Sequence, residues 1–223
     1  MPNLLNLDAL DTDGAIRDSA EAAGLDRGDF LKKGVLAGGG LLAGGALFGS
    51  YLSDAEAAIS KRRSKRNDVK ILNYALTLEY LEAAFYRQAV ANQAFGSSAA
   101  LKAFAETVAE HEAKHVAFLK KALGSSAIKS PTVDFGDAVT DPAKFAATAQ
   151  VLEDTGVSAY LGQVGNLSQR AVLSAAGTIA TVEARHASWI RFINGVTPAP
   201  TDFDKPKSEK AILKAVTATG FIK

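Results

Sequence analysis

The chain has 223 residues, enough for one domain with extensions and too few for two generous ones. At 48% hydrophobic and 22% charged, most of it is excluded from being disordered. It contains no Cys, which excludes disulfide frameworks, thiolate zinc sites, iron–sulfur clusters and cysteine nucleophiles; any metal has to be held by Glu, Asp or His.

The formal net charge of +1 conceals an asymmetry, because residues 1–57 hold 4 Lys and Arg against 9 Asp and Glu, and residues 58–223 hold 21 against 15. Much of the basic excess is one run, Lys61, Arg62, Arg63, Lys65 and Arg66, which reads as a solvated linker over 58–69. A nucleic-acid or anionic-lipid role for the run is the lesser reading; no aromatic residue is interleaved with it for bases to stack on, so nucleic acid is not an expected partner.

Residues 34–52, GVLAGGGLLAGGALFGSYL, carry no charge, but seven of the nineteen are Gly, each costing about 1 kcal/mol in a helix relative to Ala. That is a poor permanent membrane span and a better signal core. Upstream, Arg27-Gly28-Asp29-Phe30-Leu31-Lys32 resembles the twin-arginine export signal with Gly28 in place of the second Arg; downstream, Ala55-Glu56-Ala57 has the small-x-small pattern that signal peptidases cleave after. Residues 1–57 are therefore expected to direct export, with the mature chain starting near Ala58 outside the cytoplasm and membrane contact made only through this segment.

From residue 70 to 223 a helical bundle with a C-terminal extension is expected. Apolar residues recur at helical period over 68–93, 98–123, 141–165 and 168–194, with a short fifth stretch over 207–218, and nothing alternates like a strand. Short breaks at 97–98 and 166–168 predict two antiparallel hairpins. The segment Gly124 to Asp141, which holds Pro131, is long enough to cross the bundle between them, and Asp141-Pro142 is a good helix start.

A helical wheel places Glu112 and His115 on the apolar face of the second helix, among Phe104, Val108 and Leu119. Glu183 and His186 fall among Ala176, Ile179 and Ile190 of the fourth. The first helix aligns Glu79, Glu82 and Tyr86 with Leu72 and Ala75, opposite Lys70, Asn73, Thr77 and Gln88; the third aligns Glu153 with Phe145, Ala149, Gly156 and Tyr160. Carboxylates facing an apolar core cost several kcal/mol each unless compensated, and almost no inward Lys or Arg is available.

Two divalent metal ions would compensate them. A Glu and a His three residues apart lie on adjacent turns of one helix face and can reach one ion, and two of the three His in the chain have a Glu at that position. The pattern also repeats: Glu79 precedes Tyr86 by seven residues and Glu112 by thirty-three, while Glu153 precedes Tyr160 by seven and Glu183 by thirty. One Glu from each of two helices plus Glu-x-x-His from each of the other two is the ligand set of carboxylate di-metal bundles. The expected metal residues are thus Glu79, Glu112, His115, Glu153, Glu183 and His186, with Glu79 and Glu153 bridging or capping the pair from opposite sides.

The segments NYALTLEYLEAAFY (73–86), VDFGDAVTD (133–141), LEDTGVSAYLG (152–162) and TVEARHASWIR (181–191) resemble the bacterial ferritin-like domain proteins, a family that includes desiccation-related proteins. The resemblance spans about 70–218. It implies an all-α, ferritin-like four-helix bundle of two antiparallel hairpins joined by a long crossover, with the ligands mapping onto the same six residues; it does not imply one reaction.

Other residues have plainer readings. Glu82 matches Gly156 in the repeat, leaving an extra ligand, a partner of the ligands or an inward salt bridge open. Tyr86 and Tyr160 are expected to donate to ligand carboxylates. His111 lies at the edge of the second helix's core face, Trp189 and Phe192 are expected to pack rather than relay electrons, and Phe203 to staple the Pro-rich tail to the bundle.

Oxygen-rich ligation with one imidazole per ion suits two Fe or, alternatively, two Mn ions. The leading expectation is a di-iron oxidase or ferroxidase-like protein using O2 or peroxide, and Fe(II) as a further partner. The alternatives are a dimanganese catalase-like enzyme and a non-catalytic stress or desiccation protein with a structural metal site. Cage-type iron storage and Ser-His-Asp hydrolysis have little support, since no cage-forming surface and no serine elbow are legible. Oligomerisation is left open.

Overall fold

A computed structural model describes residues 59–223; the export-type segment expected over 1–57 lies outside the described residues. Four long helices and one short one are described: α1 Lys65–Ala91, α2 Ala99–Leu123, α3 Pro142–Val164, α4 Arg170–Ile193 and α5 Glu209–Thr219. Hydroxyl or carboxylate caps start four of them. Ser64, Ser98 and Ser208 accept from the backbone N–H of Asn67, Leu101 and Ala211, and Asp141 from that of Lys144, each supplying a partner to a helix N–H that has none within the helix.

The Ser64 cap corrects one boundary. It starts α1 three residues before the expected 68, so Lys65 and Arg66 are helical and only the beginning of the basic run is linker.

α1 with α2 and α3 with α4 form the two expected hairpins. The crossover between them starts beside Asn73, whose amide holds Ser126 O and Ile128 N at 2.9 and 3.0 Å. It ends where Phe135 meets Phe85 edge-on at 5.3 Å, and so runs along α1. An isolated antiparallel bridge, Val133 with Ile222, ties the crossover to the C-terminus.

This path overturns the expectation that Thr77 lies on an open face. Thr77 is buried and returns its hydroxyl to Asn73 O at 3.1 Å, because the crossover, held by Asn73 and by Tyr80 on either side of it, covers what the wheel drew as the outer side of α1.

The tail before α5 does not dock as expected either. Phe203 is 58% exposed and staples nothing, and Phe192 is 70% exposed rather than packed. The tail is held by its backbone: Lys207 N donates to Ser158 O at 3.0 Å, and the missing side chain of Gly162 makes room, since a Cβ there would lie 1.9 Å from Lys207 O. Ile212 and Val216 of α5 then bury against the bundle. Trp189 packs as expected, edge-on against Phe104 at 5.4 Å.

The apolar core is in two parts. One surrounds Phe85, Tyr86, Phe104 and Phe145; the other surrounds Ile71, Leu119, Tyr160 and Ile179. Between them, at mid-bundle, lies a layer in which every long helix contributes acid: Glu79 and Glu82 from α1, Glu112 from α2, Glu153 from α3 and Glu183 from α4, all buried.

Candidate metal centre

The six expected residues converge. Glu79, Glu112, His115 and Glu183 form one group of potential ligands, and Glu112, Glu153, Glu183 and His186 a second; within each group one ligand atom per residue lies within 4.8 Å of the others. Glu112 and Glu183 belong to both. Of the two roles expected for Glu79 and Glu153, bridging or capping, the geometry fits capping, since each serves only one group.

The distances show how the sharing works. Glu112 sends Oε2 to within 3.2 Å of His115 Nδ1 and Oε1 to within 3.2 Å of His186 Nδ1. Glu183 sends Oε1 to within 3.1 Å of His115 Nδ1, while its Oε2 is 4.0 Å from His186 Nδ1. Glu79 Oε2 approaches only His115, at 3.2 Å, and Glu153 Oε2 only His186, at 3.2 Å. A Glu-x-x-His pair faces inward from one helix of each hairpin, so exchanging the hairpins reproduces the arrangement.

The tyrosines complete it. Tyr160 donates its hydroxyl to Glu79 Oε1 and Tyr86 donates to Glu153 Oε1, each from the opposite hairpin. Each bond occupies the outer oxygen of its carboxylate and leaves Oε2 to face the histidine.

A cation fits these residues. Glu112 Oε1, Glu153 Oε2, both oxygens of Glu183 and His186 Nδ1 are sealed from solvent with no hydrogen-bond partner, although several approach one another to 3.1–3.2 Å without the alignment of a hydrogen bond. Such orphaned groups cost about 1–3 kcal/mol each, more if charged. No described Lys or Arg forms an ion pair with any of these carboxylates. The donor set, carboxylate oxygens with one imidazole nitrogen per group, is that of a hard or borderline divalent metal.

Protons occupy the same space when cations do not. Burial raises Glu112 and Glu183 well above the usual carboxylate range, and neighbouring carboxylates add to it, Glu79 for Glu112 and Glu112 for Glu183. Burial disfavours a charged His115, yet its contacts with Glu112, Glu183 and Glu79 outweigh that and push it up to about 12. Burial also opposes the ionised Glu79, but bonds from His115, Glu112 and Tyr160 hold it below the usual range.

Glu82 is a fifth buried carboxylate on the layer, raised well above its ordinary value by burial and then by Glu183, Glu153, Glu112 and Glu79. It exists by virtue of Gly156. A Cβ at that position would lie 3.3 Å from Glu82 Oε1 and 3.2 Å from Glu183 Oε2, so the glycine leaves the space that the extra carboxylate enters. No Lys or Arg meets it, which removes the inward salt bridge from its possible readings.

His111 stands nearer the centre than its place at the edge of the α2 core face suggests. His111 Nδ1 lies 2.9 Å from His186 Nε2, on the side of the ring away from the carboxylates. Its signal was spacing: four residues before His115, it shares that residue's helix face. The same stretch, His111-Glu112-Ala113-Lys114-His115, also spells the His-Glu-x-x-His pattern of zinc proteases. The geometry rejects that reading, since His111 backs a ligand from α4 instead of joining His115 at one ion, and Glu112 is fully buried between two histidines.

Fold and layer together define a four-helix bundle with a buried carboxylate–histidine centre that can hold metal. The chain belongs to the ferritin-like domain family, whose model matches residues 67–196, all of the four long helices except the first two residues of α1. No curated protein matches the chain.

Proposed function

We propose that this protein is a two-metal carboxylate oxidoreductase, holding two iron ions and oxidising Fe(II) or another small reductant with O2 or peroxide. The observation that supports it most is the pair of four-residue ligand groups sharing Glu112 and Glu183, with their inward atoms orphaned. Glu79 and His115 would complete one ion's ligands, Glu153 and His186 the other's. Bound iron supplies a couple between divalent and trivalent states.

The chain's own residues do the rest. Tyr86 and Tyr160 hold Glu153 and Glu79 in orientation through their outer oxygens. The two apolar core clusters on either side of the layer exclude bulk water and strengthen every electrostatic contact within it. Glu82, next to Glu183 and raised well above its ordinary value, is a carboxyl that can hold a proton beside the centre.

The experiment is anaerobic loading with Fe(II) or Mn(II), elemental analysis, and then separate assays of O2-dependent Fe(II) oxidation and of peroxide disproportionation. About two metal ions per chain with Fe(II) oxidation above a chelated control supports the reading. Turnover of peroxide by the manganese form alone would make the protein catalase-like, and metal binding with neither turnover would make the centre structural. We further propose that residues 1–57 direct export; N-terminal sequencing of extracytoplasmic protein would find a start near Ala58.

A further inference from the structure

The fold gathers positive charge at one end of the bundle. The run Lys61, Arg62, Arg63, Lys65 and Arg66 enters α1 there, α2 ends there with Lys120 and Lys121, and α4 begins there with Arg170. Contacts among the helix ends fix this placement. Arg63 Nε donates to Gly165 O at 2.8 Å, Asp68 accepts from Ser168 and Gln169 at the start of α4, and Ile71 packs with Leu119 and Leu123 near the end of α2.

All eight cations are exposed, and none forms an ion pair with a described residue. The acids nearby are turned to other tasks: Asp68 is fully buried, accepting four hydrogen bonds from Ser168 and Gln169, and Glu209 accepts from Ile59 N at 3.0 Å.

Helix stability does not account for this charge. Lys120 and Lys121 suit the C-terminal end of a helix, but Lys65 and Arg66 occupy the first turn of α1 and Arg170 that of α4, where the helix dipole disfavours cations. We propose that this end of the bundle is a docking surface for an anionic lipid bilayer.

Two observations favour lipid over nucleic acid. The uncharged stretch 34–52 ends seven residues before Ile59, so until residues 1–57 are removed the chain arrives at this end from the segment best suited to apolar surroundings. Phe118 is the one aromatic residue within 61–66, 117–123 and 168–173, which offers little for base stacking. The exposed apolar side chains here, Val69, Phe118 and Leu173, stand one turn back from Arg66, Lys121 and Arg170, behind the cations rather than ahead of them. The contact is therefore electrostatic, made to headgroup phosphates, and sensitive to salt.

The test is sedimentation of the full chain with phosphatidylglycerol-containing vesicles and with pure phosphatidylcholine vesicles, beside a variant carrying Lys120→Glu, Lys121→Glu and Arg170→Glu. These positions are far in sequence from the run before α1, so they separate a surface built by the fold from an effect of the N-terminal segment. The parent is expected to prefer anionic vesicles, and the variant to lose about a hundredfold of that affinity while keeping the parent's weak binding to neutral ones. Raising the salt to about 0.5 M should abolish the preference. Unchanged melting temperature and metal content establish that the variant is folded, and Gln at the same three positions replaces it if it is not. Equal binding of the parent to both vesicles, undiminished binding by the variant, or tighter binding to a single-stranded oligonucleotide than to anionic vesicles at one ionic strength would each overturn the proposal.

Discussion

His111 Nδ1 stands 2.9 Å from His186 Nε2, with the two rings nearly parallel, 19° apart, and 5.1 Å between centroids. His186 turns its other nitrogen, Nδ1, to Glu112 and Glu153. With a metal on Nδ1, His186 would carry its proton on Nε2, and His111 would accept that hydrogen bond and fix both the tautomer and the ring plane. Burial, then the neighbouring His186 and His115, hold His111 below the usual imidazole range, which keeps it a neutral acceptor.

His111→Ala is therefore expected to leave the bundle folded and to weaken metal binding in the group containing His186 by about 10–100-fold. Metal titration followed by calorimetry would show one site weakened and the other nearly unchanged. Two undiminished sites would mean that the imidazole contact has no part in ligation.

Gly156→Ala would place a methyl group 3.2 Å from Glu183 Oε2 and 3.3 Å from Glu82 Oε1. Crowding of this kind costs about 1–3 kcal/mol, and the side chain displaced here belongs to both ligand groups. The expected result is a lower melting temperature and fewer than two metals per chain. Glu82→Gln in the same background relieves charge but not volume, so it should leave the metal deficit in place.

The chelated protein should lose stability as pH rises. Glu82, Glu112 and Glu183 hold protons more tightly when folded than their ordinary value of 4.5, so their contribution is complete below that pH and declines as pH climbs toward their folded values. His115 acts in the same direction, contributing fully below 6.5 and losing its contribution toward about 12. Glu79 opposes them, but only in acid, where falling pH below its ordinary 4.5 protonates it. The melting temperature of chelated protein should thus fall between about pH 5 and 9, and metal loading should reverse the slope because cations displace the same protons. A chelated melting temperature that rose across this range would contradict the charge distribution of the layer.

Gly162→Ala should free the tail and spare the centre. A Cβ there collides with Lys207 O at 1.9 Å, and the Lys207 N to Ser158 O hydrogen bond cannot survive the displacement. The expected outcome is faster proteolysis within 196–208 and a loss of about 1–3 kcal/mol in stability, with metal content unchanged. Resistance to protease equal to that of the parent would show that the tail is anchored by α5 alone.

The sequence by itself determined the helices and which way their acids point. Period-3.6 recurrence of apolar residues, with Ser98, Asp141 and Ser208 as caps, is a local property, and the helical wheel that buried Leu119 also had to bury Glu112 on the same arc. The repeated Glu, Tyr and Glu-x-x-His offsets added that two hairpins face one another, because neither could compensate its acids alone.

Tertiary structure decided what depends on neighbours from other helices. Glu112 and Glu183 became the shared carboxylates, and Glu79 and Glu153 the single ones, only when Tyr160 and Tyr86 from the opposite hairpin took the outer oxygens of the latter pair. Thr77 was buried by a crossover whose path no local pattern specifies, while Phe203 stayed in solvent because backbone contacts already held its segment. Periodicity reports which side of a helix is apolar; the element that covers the other side, and the side chain that reaches in from across the bundle, are set by packing between residues far apart in the chain.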